Sequence, residues 1–108
     1  MKKRHFQHFN IAGFTYYDGP EVFSELKIGT ELQLVQEPDN RYDPKAVAIY
    51  FEDKKLGFIP RSNNNEISKL LEMGYDIFEM RIQQLSAKVN PEDQVGVIVY
   101  LILNEKKS

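Results

Sequence analysis

Apolar and polar residues alternate along much of this chain, and each alternating run is cut short by glycine, proline or asparagine. Alternation at period two is the signature of half-buried strands. The first run, His8-Phe9-Asn10-Ile11-Ala12-Gly13-Phe14, puts Phe9 and Ile11 on one face, and Gly19-Pro20 ends the aromatic stretch after it. Glu21 to Leu26 has room for a single helical turn before Gly29. Glu31-Leu32-Gln33-Leu34-Val35 predicts a second strand that stops at Pro38. Residues 46–51 predict a third, with Val47, Ile49 and Phe51 on one side. Glu52-Asp53-Lys54-Lys55 turns it into a fourth, Leu56-Gly57-Phe58-Ile59, closed by Pro60, so this pair is a hairpin.

The period then changes. Asn63 followed by Glu66 resembles a capping box, and Ile67, Leu70 and Leu71 share one helical face. Gly74 stands where a left-handed helix cap is expected. Beyond it Phe78, Met80 and Ile82 alternate in one phase and Leu85, Ala87 and Val89 in the other, which predicts a bulge across Gln83-Gln84. Asn90-Pro91-Glu92-Asp93 is a turn. Residues 95–103 are apolar at nearly every position, as in a strand covered on both faces. Six strands with one helix after the fourth predict a mainly β domain, a small six-stranded β-barrel. The expected organisation is a flexible basic N-terminus over residues 1–5, the domain over 6–103 and a flexible tail over 104–108.

The 108 residues fit one domain, and the absence of cysteine removes disulfides, thiol chemistry and cysteine metal sites. No apolar run approaches the ~18–20 residues of a membrane span, and no signal-peptide core follows Met1-Lys2-Lys3-Arg4-His5, so a cytoplasmic chain without membrane contact is expected. The formal charge is −2; without the cationic ends, residues 5–104 carry 9 cations against 15 anions. Such a body is unsuited to wrapping duplex DNA through many phosphate contacts.

Candidate chemistry is sparse. His5 and His8 lack the further ligands that zinc needs, and neither sits in a context for a catalytic triad. Glu37, Asp39, Asn40 and Asp43 offer oxygen ligands, but their spacing is not that of an EF-hand loop. A turn whose Asp and Asn side chains bond their own backbone is the preferred reading. Tyr16, Tyr17 and Tyr42 fall in segments that read as loops. Composition alone favours rings packed over the barrel ends, and the functional alternative is a stacking platform for bases.

A longer pattern bears on that choice. Phe14-Thr15-Tyr16-Tyr17-Asp18-Gly19, then Gly29-Thr30-Glu31-Leu32-Gln33-Leu34-Val35, then Glu37-Pro38-Asp39-Asn40-Arg41-Tyr42-Asp43-Pro44-Lys45-Ala46-Val47, then Leu56-Gly57-Phe58-Ile59-Pro60-Arg61, resembles the HIRAN domain across residues 6–103. The resemblance implies an OB-like barrel that binds single-stranded DNA at its free 3′ end, without catalysis and without a cofactor or metal, beside a helicase or nuclease partner in DNA repair or replication. It implies that Tyr16 and Tyr42 stack on the terminal bases, with Tyr17 lining the same pocket. Asn40 would meet a base edge or shape the loop, Asp43 would accept a hydrogen bond from the 3′-hydroxyl, and Arg61 would meet the adjacent phosphate. Members that bind DNA ends carry an arginine where this chain has Thr15 and a histidine where it has Phe58. Phe58 is expected to offer a stacking surface instead, with the phosphate clamp thinned. The alternative, from a different class, is a protein-interaction or scaffold module that keeps the barrel without end recognition.

Overall fold

The computed structural model describes residues 2–90 and 93–103. Six antiparallel strands dominate it: β1 (Lys2–Asn10), β2 (Glu31–Gln36), β3 (Val47–Phe51), β4 (Lys54–Phe58), β5 (Phe78–Leu85) and β6 (Val95–Leu103). Two short helices, α1 (Gly19–Val22) and α2 (Asn64–Glu72), lie between β1 and β2 and between β4 and β5. Alternation puts Leu32, Met80, Ile82, Val95, Val97 and Val99 on the inner face of the sheet. There they meet Val47, Ile49 and Leu56, with Ile67 of α2 and Phe14 closing the core. The expected phase slip is a register shift between Ile82 and Gln84 against β6.

The strands run in the order β1-β6-β5-β2-β3-β4, which leaves β1 and β4 as edges. No ladder joins those edges, so the sheet is not closed into the expected barrel by hydrogen bonds. A single bridge spans them: the Ala12 N–H donates to the Phe58 carbonyl at 2.8 Å, and the Phe58 N–H returns to the Ala12 carbonyl at 2.9 Å. The pairing ends there because Gly13, at φ 74°, turns the chain out of the extended conformation one residue later.

Two expectations are corrected. The first strand begins at Lys2, not after a flexible segment over residues 1–5, because β6 extends to Leu103 and pairs residue by residue with Lys2, Lys3, Arg4 and His5. Backbone pairing at a sheet edge is indifferent to polar side chains, so alternation did not mark this stretch. The capping box does not form either. The Asn63 side-chain oxygen accepts from Ser62 Oγ at 2.9 Å, and the helix is entered through a 3₁₀ turn over Arg61–Asn63. The other end follows the sequence closely. Gly74 is left-handed at φ 91°, its N–H reaches the Leu71 carbonyl and the Tyr75 N–H reaches the Leu70 carbonyl, which is a Schellman motif.

β6 is fully buried over Val95–Val97 and at Val99; Ile98, Tyr100 and Ile102 are partly exposed on the outer face. Of the expected turn at 90–93, Pro91 and Glu92 lie outside the described residues, as does the 104–108 tail. No described helix is long and apolar enough to cross a membrane.

Candidate nucleic-acid interface

The bridge between Ala12 and Phe58 matters because both residues lead into segments that line one groove. After Gly13 the chain makes a 3₁₀ turn over Phe14–Tyr16, closed by the Tyr16 N–H on the Gly13 carbonyl at 2.9 Å. Phe14 drops into the core and packs edge-on against Phe23 at 6.0 Å. Anchoring Phe14 inward swings its neighbours outward, and Tyr16 is 84% exposed. Asp18 then fixes the segment to β4: its N–H donates to the Lys55 carbonyl at 2.8 Å, and its Oδ2 accepts from the Lys55 N–H at 3.2 Å. Tyr17 is thereby held edge-on against Phe58, with ring centroids 5.5 Å apart.

The opposite wall is the loop over residues 37–44. Asn40 Oδ1 accepts from the backbone N–H groups of Tyr42 at 2.9 Å and Asp43 at 3.1 Å. Asp43 Oδ1 accepts from the Lys45 N–H at 3.0 Å. These are the self-bonded Asx turns that the run of turn formers predicts. They present Tyr42 to solvent at 79% exposure. Among the described residues no three His, Asp or Glu side chains converge as a metal site.

Asp43 is the most constrained acid of this wall. Its Oδ2 accepts from Asn64 Nδ2 at 2.9 Å, and Arg61 Nε lies 3.7 Å away. The Lys45 N–H, the Asn64 amide and the Arg61 and Lys45 charges outweigh burial and hold the carboxyl below its ordinary value. Arg61 in turn donates from Nη2 to the Tyr42 carbonyl at 2.7 Å.

A cavity of about 300 Å³ opens between these walls. Tyr16, Tyr17, Asn40, Tyr42, Asp43, Phe58 and Arg61 all line it, over a floor that includes Ala12, Gly13, Ala46 and Ile59. All seven residues that the sequence marks for DNA contact therefore meet in one open groove. Thr15 is exposed and is not among the lining residues.

This arrangement sits on a chain whose sequence matches a known family model, the HIRAN domain, over residues 5–103. The chain belongs to the HIRAN domain family. HIRAN domains are nucleic-acid-binding modules associated with DNA binding. The fold is also similar to two crystal structures. One is a protein from Lactobacillus plantarum, at 20% identity and a TM-score of 0.79, with 93% of this chain and 95% of that chain covered. The other is the HIRAN domain of human HLTF, at 12% identity and a TM-score of 0.69, with 92% and 78% covered. No curated protein matches this HIRAN chain.

Three contributors to the groove are not among the residues that the sequence marks for DNA contact. Asn64 is buried at 3% exposure and serves Asp43 from the start of α2. Lys55 reads as half of a turn, yet its Nζ lies 4.9 Å from the Tyr17 ring centroid and 4.4 Å from that of Phe58. Glu37, grouped with the acidic cluster, binds that same ammonium at 2.7 Å. No local pattern announces the links from Asn64 to Asp43 and from Lys55 to Tyr17 and Glu37, since each joins segments far apart in sequence.

Proposed function

We propose that this HIRAN domain is a non-enzymatic module that binds the free 3′-hydroxyl end of single-stranded DNA. The observation that carries this reading is the single groove in which exposed Tyr16 and Tyr42 stand beside the Asp43 carboxylate. Exposed rings on opposite walls suit base stacking, worth ~1–3 kcal/mol per base. An ionised carboxylate only accepts hydrogen bonds, so it welcomes a hydroxyl and repels a terminal phosphate. Asn40 shapes the loop through its two backbone contacts rather than reading a base edge, and Arg61 takes the first phosphate. Phe58 and Tyr17 supply a second aromatic surface. Function beside a helicase or nuclease partner, in DNA repair or replication, within the cytoplasm and on an OB-like barrel scaffold, completes the proposal.

Fluorescence anisotropy of short single strands tests it. Strands ending in a 3′-hydroxyl should bind more tightly than the same strands ending in a 3′-phosphate. Tyr42→Ala should weaken binding by about one to two powers of ten, corresponding to ~1–3 kcal/mol, and Asp43→Ala should abolish the preference between ends. Equal or absent binding of both ends at low salt overturns the reading. That outcome would favour a protein-interaction module, which the single lining cation, Arg61, already suits better than it suits a long nucleic-acid track.

A further inference from the structure

The groove has two walls from distant parts of the chain, and one ammonium touches both. Lys55 Nζ lies over the rings of Tyr17 and Phe58, well within the ~6 Å range of cation–π attraction. The same Nζ donates to Glu37 Oε2 at 2.7 Å. Glu37 Oε1 accepts from Asn40 Nδ2 at 3.1 Å, and Asn40 Oδ1 holds the N–H groups of Tyr42 and Asp43. The chain of contacts thus runs without a gap from the aromatic wall, through Lys55 and Glu37, to the backbone of the loop that carries Tyr42 and Asp43.

An exposed ion pair would be of little consequence. This one is largely shielded, with side-chain exposures of 21% and 25%, and each member has further partners. Burial alone would raise the Glu37 carboxyl; the Lys55 ammonium and the Asn40 amide outweigh it and hold Glu37 below its ordinary value. Lys55 is not among the residues lining the groove, and its charge is already neutralised by Glu37. Its geometry is that of a tie, not of a group waiting for phosphate.

We propose that Lys55 and Glu37 are positioning residues that set the spacing of the two groove walls, so that ligand affinity depends on an ion pair outside the ligand's own contacts. Fixing the walls before binding reduces the ordering cost that the ligand would otherwise meet. The inference rests on the groove being the ligand site, but the tie itself can be tested without a ligand.

The test uses the full chain and its Lys55→Met, Glu37→Gln, double and Lys55→Arg variants. Each is studied by two-dimensional amide NMR, and by anisotropy with a short single-stranded oligonucleotide ending in a 3′-hydroxyl. Either single substitution should shift the amide signals of Tyr42 and Asp43 and weaken binding about 5–20-fold. The double variant should be no weaker than the singles, because one linkage is broken once, and Lys55→Arg should recover most of the affinity. Unshifted Tyr42 and Asp43 amides in Lys55→Met, in a spectrum that is otherwise folded, overturn the tie. So does a Glu37→Gln variant that binds more tightly than wild type, since that marks Lys55 as a direct phosphate contact. Shifted amides in a wild-type protein that binds no oligonucleotide would leave the tie standing and sink the DNA reading alone.

Discussion

At the scale of single residues, the Asp43 carboxylate shows how the groove is built from polar groups that satisfy one another. Asn64 is almost wholly buried, and the partner of its side-chain amide is Asp43 Oδ2 at 2.9 Å. Replacing Asn64 by Leu removes a donor from a charged acceptor, a loss of ~1.5–3 kcal/mol. The carboxyl should then titrate at higher pH than in wild type, which side-chain carbon NMR of Asp43 would detect. An unmoved titration would mean that Asn64 does not support the charge. The Asp43 position itself was legible because the run Asn40-Arg41-Tyr42-Asp43 carries Asx-turn chemistry within four residues. Asn64 and Lys55 were not legible. Their contacts to Asp43, 21 positions away, and to Glu37, 18 positions away, exist only once the sheet has folded.

Among the elements, β4 carries the strongest constraint. Gly57 has φ 146°, and a Cβ added there would lie 2.3 Å from the Ala12 carbonyl oxygen. The close approach is what allows the two hydrogen bonds between Ala12 and Phe58, and those bonds bring Gly13 and Tyr17 to Phe58. Gly57→Ala should therefore cost ~2–5 kcal/mol through backbone strain and overpacking, and lower the melting temperature by roughly 10 °C or more. Gly29→Ala, also at positive φ but facing open space, should cost clearly less; equal losses at both positions would refute the close-approach argument. The same strand shows what pattern reading can and cannot reach. Alternation located β2, β3 and β5 closely because each has one face on the core, and a continuous apolar run located β6. β1 was placed too late, since its first four residues pair through the backbone while their side chains stay in solvent. Barrel closure lies beyond pattern reading, because a strand pattern records which face is buried and says nothing of which edges meet.

For the molecule as a whole, several of the charges are held in pairs. Lys3 and Arg81 both bind Glu79, at 2.6 and 3.0 Å, and these two bonds outweigh burial to hold its carboxyl low, as the Glu37 and Asp43 carboxyls are held low by their own partners. A carboxyl depressed in the folded state stabilises it above the unfolded value and loses that contribution as pH falls through the folded value. Stability should therefore decline as pH drops below the ordinary values of 4.5 for glutamate and 3.8 for aspartate, with Glu79→Gln flattening the profile. A melting temperature unchanged from pH 5 to pH 3 would contradict this. The same pairing governs ligand binding. Arg61 is bonded to the Tyr42 carbonyl and Lys55 to Glu37, so a bound strand finds one or two phosphate contacts rather than a basic track. For single strands each contact adds ~0.7 to the slope of log affinity against log salt. Raising salt from 50 to 200 mM should then weaken binding by less than ~10-fold. A loss of 100-fold or more would require about five phosphates held by cations, and would show that β1, where Lys2, Lys3 and Arg4 are all exposed, extends the interface well beyond the groove.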